Sequence, residues 1–142
     1  MTNPSTTTLR LSPYLFFDGK CEEAIEFYKK AVGLEVLMLM RYKDSPEPCA
    51  EGTGEKIMHA GLKIGDSRFS ASDGHCHNAP KFEGFGMTLN TTSDEEAAKL
   101  FAALSEGGNV AMPITKTFFA SSFGMVADKF GVLWMIIKEA MQ

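Results

Sequence analysis

At 142 residues, with 44% hydrophobic and 23% charged side chains, the chain suits one globular domain long enough to bury roughly two thirds of its unfolded surface. A net charge of −4 without any Lys/Arg run argues against nucleic acid as a partner, and no apolar run reaches the ~18 residues that a membrane span needs. Three cysteines, an odd count, fit a reducing cytoplasm better than a disulfide framework.

Residues 1–8, MTNPSTTT, lack the basic and apolar regions of a signal peptide and are expected to be a disordered lead-in. Residues 10–17 read as a strand with largely apolar side chains on both faces, hence covered on both sides. Asp18-Gly19 is turn chemistry. Residues 21–32 form a helix, because Ala24, Phe27, Tyr28 and Ala31 recur at one-face spacing. Glu26 and Lys30 make an i,i+4 pair on its wet side, and Gly33 ends it. Residues 34–42 are a second strand, and 43–55 a surface loop with two prolines and two glycines. Residues 57–64 and 68–72 are strands joined by a Gly65-Asp66 hairpin turn. The loop 73–84 leads to a strand at 85–90. Ser93 then caps a helix, with Glu96 placed for a capping box and Ala97, Leu100, Phe101 and Leu104 as its apolar stripe. Gly107-Gly108 ends that helix, and strands follow at 109–114, 123–128 and 133–138.

The order is therefore βαβββ twice. Glu22-Glu23-Ala24 returns as Glu95-Glu96-Ala97, 73 residues on, about half the chain. Strand, one helix, then antiparallel hairpins argue an α+β class. The expected organisation is a single domain over 9–142, with modules at about 9–73 and 85–138 joined by 74–84.

The Gly65-Asp66 turn fixes which side chains share a face. With Ile64 opposite Ser67, the pairs run Lys63/Arg68, Leu62/Phe69, Gly61/Ser70, Ala60/Ala71 and His59/Ser72. One face then carries Met58, Ala60, Leu62, Phe69 and Ala71 and should meet the helix. The other carries His59, Gly61, Lys63, Arg68, Ser70 and Ser72 and should look into a wet groove or onto solvent. The fifth strand divides alike: Phe85, Met87 and Leu89 against Gly86, Thr88 and Asn90.

Two βαβββ modules with these strand–helix entries resemble the vicinal oxygen chelate superfamily of glyoxalase I, extradiol dioxygenases, fosfomycin-resistance enzymes and bleomycin-binding proteins. The chain is most similar to the PhnB-like branch, often labelled with a misleading ubiquinone-methyltransferase name. PYLFFDGKCEEAIEFYKKAVG, MHAGLKIGDSRFSASD and TKTFFASSFGMVADKFGVLWMII carry the likeness, which spans residues 13–137. The resemblance implies curved antiparallel or mixed sheets around a cleft, helices outside, and a homodimer. Metal-dependent members draw ligands from the first strand of each module and the last strand of the second. Those places fall near Pro13, Gly86 and Met135, none of which offers an imidazole or carboxylate. Tyr14, Phe85, Thr88, Trp134 and Ile136 do not rescue the set if the alignment slips by one. No cofactor is therefore expected, with a divalent metal at a departed position left open.

Each remaining candidate has a bland counterpart. His75-Cys76-His77, with His59 or Cys49, invites zinc, but lacks ligand spacing and reads better as a polar loop. His59 beside Ser72 or Ser70 offers acid–base chemistry near neutral pH; its counterpart is a histidine bonded to a strand neighbour or water. Lys63 and Arg68, like charges face to face, would be relieved by a ligand anion or simply solvated. Ser70, Thr88 and Asn90 are the polar groups of the groove, and Phe118, Phe119, Trp134 and Met135 its apolar lining for a flat ligand, unless they are core. Cys21 near a helix start is either activated by the helix dipole or an inert thiol. Three functions follow: a metal-independent protein binding a small organic molecule; an isomerase, lyase or transferase using His59 or a displaced metal; or a scaffold whose dimer surface is its purpose.

Overall fold

The computed structural model describes residues 9–46, 52–74 and 81–140. In chain order the first module is β1 (Tyr14–Phe16), α1 (Cys21–Val32), β2 (Glu35–Arg41), a single 3-10 turn (Tyr42–Asp44), β3 (Ile57–Ile64) and β4 (Ser67–Ser72). The second is β5 (Met87–Asn90), α2 (Asp94–Ser105), β6 (Asn109–Thr115), β7 (Ala120–Ala127) and β8 (Leu133–Glu139). The two four-stranded sheets have the same order, β1-β4-β3-β2 and β5-β8-β7-β6. In each, the first strand runs parallel to the last and the remaining pairs are antiparallel. The fold is α+β, two mixed sheets with two helices, and the sheets do not close on one another.

The helices form where their stripes predict, and their ends show how. Gly33 adopts φ 72° and its N–H returns to the Tyr28 carbonyl, a left-handed stop that a β-carbon would disfavour. Lys20 gives α1 no side-chain cap. Asp73, at the end of β4, substitutes: its Oδ1 accepts the Cys21 N–H at 2.8 Å and its Oδ2 the Ile57 N–H at 2.8 Å. Ser93 Oγ caps α2 by accepting the Glu96 N–H at 3.0 Å. The Glu96 carboxylate takes the N–H of Thr92, at 3.0 Å, one residue before the cap. On α1 the ion pair joins Glu26 to Lys29 at 2.9 Å, in place of the expected Glu26–Lys30.

Each helix covers one face of its sheet, and α1 and α2 also pack against each other. Leu15, Ala60, Leu62 and Ala71 of the first sheet and Val126, Trp134 and Ile136 of the second share one core cluster with Ala24, Tyr28, Ala97 and Leu104. Helix α2 approaches β7 so closely that a β-carbon on Gly124 would stand 2.6 Å from the Phe101 ring. The modules are joined through Asp128, buried in the β7–β8 turn. Its Oδ2 accepts the Tyr28 hydroxyl at 2.5 Å and the Trp134 indole N–H at 2.8 Å, while its Oδ1 accepts the N–H groups of Phe130 at 2.8 Å and Val132 at 3.1 Å.

The expectations fail in several places. The first strand is covered on one face only, with Tyr14 and Phe16 40% and 53% exposed, and the strand expected at 85–90 begins at Met87. The first strand starts at Tyr14, not residue 10, and Leu9 and Leu11 are 96% and 99% exposed. Alternation alone cannot say that no neighbouring strand reaches that far. The strand predicted at 123–128 begins at Ala120. Its two serines look like loop residues in sequence, but both donate to Asp94 Oδ1 at 2.6 Å at the start of α2. The hairpin register holds from Ile64/Ser67 to Ala60/Ala71 and then shifts. Met40 faces His59 while Arg41 faces Ile57, and the Asp73 N–H bonds the Ile57 carbonyl at 2.9 Å. An extra residue therefore bulges at Met58-His59. Ile57, not Met58, is the buried residue, and His59 is not the simple opposite of Ser72.

Replacing Tyr28 by Phe keeps the ring but withdraws a donor from a buried carboxylate. Tyr28→Phe is expected to lower the unfolding free energy by about 1.5–3 kcal/mol, read from urea unfolding as a fall in midpoint at unchanged slope.

Candidate functional site

The sheet faces turned away from the helices are the only extended surfaces on which the predicted site residues meet among the described residues. On the first sheet, Tyr14 faces Ser70 and Ser70 faces Gly61, which faces Met38. A β-carbon on Gly61 would lie 3.3 Å from Met38 Cγ, so Met38 leans over that glycine. The Tyr14 hydroxyl is 3.0 Å from His59 Nδ1, and their rings lie 5.6 Å apart. Phe16, on the same side of β1, has its ring 4.8 Å from that of Tyr14. The result is a half-exposed platform of two aromatic rings and an imidazole beside a floor of small residues. Lys63 lies between Arg68 on β4 and Glu35 on β2, so the unlike charge of Glu35 offsets the like-charge pairing expected from the hairpin.

Ser72 does not join His59. It is buried, and its Oγ accepts the Gly74 N–H at 3.1 Å. The bulge is the cause: it carries His59 out of the position where alternation would have set it opposite Ser72, and Tyr14 becomes its partner. Tyr14 shares its parity in the first strand with Ser12 and Phe16, and nothing in that pattern singles it out.

On the second sheet, Thr88 faces Met135 and Asn90 faces Ile137; both polar residues are exposed. Met125 faces Met135, and Phe123 faces Ile137. Phe118 is 97% exposed, with its ring edge-to-face on Phe119 at 5.1 Å, and Phe119 in turn lies 5.3 Å from Phe123. Trp134 is a correction. It lies on the helix-facing side, 1% exposed, with its indole N–H on Asp128 and its ring 5.4 Å from Tyr28. Strand parity decides this: in β8 the side chains of Trp134 and Ile136 point to the core, and those of Met135 and Ile137 point away. The site residues thus fall into two groups on different sheets, His59, Ser70, Lys63 and Arg68 on one and Thr88, Asn90, Phe119 and Met135 on the other.

A sequence profile of the 3-demethylubiquinone-9 3-methyltransferase family matches residues 9–137. The chain belongs to this family. It is 36% identical to protein YjdN of Escherichia coli over 136 residues, covering 89% of this chain and 92% of that protein. Among solved structures, PA1353 of Pseudomonas aeruginosa is 44% identical, with a TM-score of 0.85, covering 93% of this chain and 98% of the other. The PhnB protein of Bacillus cereus is 25% identical, with a TM-score of 0.75, covering 92% and 99%. A glyoxalase/bleomycin-resistance/dioxygenase domain of Frankia shares the fold at 12% identity and a TM-score of 0.61, covering 94% of each chain. The chain is thus a PhnB-like member of this family, with the fold of glyoxalase, bleomycin-resistance and dioxygenase proteins.

The places to which the resemblance assigns metal ligands fall near Pro13, Gly86 and Met135. Among the described residues, no cluster of three or more His, Cys, Asp or Glu side chains is placed to hold a metal ion. Cys49 and His75-Cys76-His77 lie outside the described residues. Cys21 is not an activated thiol. It is fully buried, and burial together with the nearby Asp73 and Glu22 carboxylates pushes it up to about 12.

Two outcomes follow from this geometry. The Cys21 thiol stays protonated in the folded chain above the pH, about 8.5, at which it ionises when unfolded. Its contribution to stability is complete below that pH and declines by about 1.4 kcal/mol per pH unit as pH rises toward its folded value. Urea unfolding between pH 7.5 and about pH 10.5 should show this slope in the parent and lose it in Cys21→Ala. The bond between the Tyr14 hydroxyl and His59 Nδ1, whichever group donates, holds the neutral ring in a single tautomer. Tyr14→Phe should therefore shift the His59 ring nitrogens toward a mixture of tautomers in nitrogen-15 spectra above pH 8, whereas unchanged shifts would remove Tyr14 from the site.

Proposed function

We propose that this protein binds a small organic molecule against its open sheet faces, as a cytoplasmic homodimer and without the metal site usual in the superfamily. The observation that carries this reading is the pair of uncovered faces. Tyr14, Phe16 and Met38 on the first sheet and Met112 and Phe119 on the second remain substantially exposed, interrupted by a few polar groups: His59, Ser70, Thr88 and Asn90. Apolar walls with sparse, fixed polar groups are what small-molecule sites are made of. Patches this apolar on a soluble chain are commonly covered by a ligand or a second copy. No helix among the described residues is long and apolar enough to cross a membrane, and a buried free cysteine, Cys21, is at home in a reducing compartment.

The family description names a methyltransferase, but methyl transfer is not part of this proposal. Nucleotide-type cofactors are held at glycine-rich strand-to-helix turns of parallel sheets. Here those connections, residues 17–20 and 91–93, carry one glycine and none. The second reading is an enzyme in which His59 moves a proton, favoured by the Tyr14 bond that would orient the ring.

Thermal-shift screening of a metabolite library, with the assembly followed by analytical ultracentrifugation, tests the proposal. A true ligand at a hundredfold excess over its Kd should add about 2.7 kcal/mol of stability, and Phe16→Ser should reduce that gain. A monomer that no compound stabilises would overturn the reading. His59→Ala separates the alternatives: retained affinity with lost turnover identifies the enzyme, and weakened affinity alone the binding protein.

A further inference from the structure

Met125 stands at the centre of the open face of the second sheet, with Met112 directly opposite on β6 and Met135 directly opposite on β8. The three thioethers form one row across three adjacent strands. The row lies on the solvent side, because the residues flanking it in sequence, Gly124 and Val126 in β7 and Trp134 and Ile136 in β8, are buried against the helix side. Met112 is substantially exposed and the other two are half-buried. Thr88 ends the row on β5. The neighbouring rows of that face are Phe123 with Ile137 and Ala127 with Leu133.

Side chains directly opposite on neighbouring strands have β-carbons about 5 Å apart. Methionine has three rotatable bonds beyond its α-carbon and a polarizable sulfur. Sulfurs from the two outer strands therefore reach the space above Met125. Thioether sulfur is a soft donor that selects Cu(I)-type ions, whereas magnesium, calcium and manganese want oxygen. None of the residues named in these rows carries a carboxylate or an imidazole. A hard divalent ion would find only the neutral hydroxyl of Thr88 here, and a soft monovalent ion would find three thioethers.

We propose that Met112, Met125 and Met135 form a thioether site for a soft monovalent cation of the Cu(I) and Ag(I) class. Of the three places at which the resemblance puts metal ligands it uses Met135 alone, and neither Pro13 nor Gly86 takes part. It does not depend on an organic ligand.

Silver(I) is the probe, since it does not change oxidation state. Titration calorimetry in chloride-free buffer uses the full chain carrying Cys49→Ser and Cys76→Ser, which removes competing thiolates, with and without Met112→Leu, Met125→Leu and Met135→Leu. Leucine keeps the apolar volume and removes the donor. The parent should bind one silver ion per chain, and the carbon-13 methyl signals of these three methionines should move together. Even outer partners of a metal ligand are worth about 10–100-fold in affinity, so the triple leucine variant should lose at least that much. Equal silver binding in the two proteins, or methyl signals that stay in place, would overturn the proposal. If the triple variant does not fold, Met125→Leu alone and the methyl signals of the parent decide it. Stabilisation by an organic compound without silver binding rejects this site and leaves the ligand reading intact.

Discussion

Asp128 is a carboxylate 3% exposed, and a charge so deeply buried survives only if its oxygens are bonded. Four neutral donors converge on it: two backbone N–H groups of its own turn, the indole of Trp134 and the hydroxyl of Tyr28. The first three belong to the second module, and the fourth comes from a helix 100 residues earlier. Docking α1 against the β7–β8 turn is thus a condition for satisfying this charge. The bond in turn raises the Tyr28 phenol well above its ordinary range, through burial and the Asp128 charge, so the hydroxyl keeps its proton and stays a donor. The aromatic contacts around it, Phe17 and Phe27 with Phe130 and Phe17 with Phe82, are less directional. They fill the joint that the carboxylate orients.

A second buried acid sets the one irregularity that matters for the site. Asp73 takes the first N–H of α1 and the N–H of Ile57, which ties helix, β3 and β4 together. Ile57 is held inward at this point, and Ala60 is buried three residues later. Strict alternation would put those two on opposite faces, so the strand must accommodate one extra residue between them. The bulge at Met58-His59 is that residue's location. It brings the imidazole to the Tyr14 hydroxyl instead of Ser72. A capping interaction thus decides which partner His59 has.

What local pattern encodes was legible. The α1 boundaries, the Ser93 cap, the Gly65-Asp66 register and the duplicated βαβββ order follow from periodicity and turn chemistry, which operate over a few residues. What was not legible depends on groups far apart in sequence. Nothing near Ser121 and Ser122 announces that Asp94 will satisfy them within a strand. Nothing near Met58 announces the pull of Asp73. Trp134 reads as a pocket residue because aromatic composition does not reveal facing; its parity with Ile136 did, and Asp128 six residues away was its partner. The candidate residues were therefore legible as mostly open-face positions but not as contacts.

The two modules share topology yet differ on their open faces, and the reason is physical. Residues facing a helix are constrained by close packing, as Gly124 under Phe101 shows, so both modules fill that layer with small, aliphatic and tightly packed aromatic side chains, Phe69 and Trp134 among them. Residues on the open face answer to no internal partner and are free to diverge. The first sheet has acquired rings, an imidazole and cations; the second has acquired thioethers, Thr88 and Asn90. In a two-fold dimer, matching like sheets would create two unlike sites, one ring-rich and one sulfur-rich. Matching each sheet with the other kind creates two equal sites, each with an imidazole wall and a thioether wall. Sulfur against aromatic edges is a favourable contact in its own right. For the homodimer proposed above, the chemical difference between the faces favours setting the first sheet of one protomer opposite the second sheet of its partner.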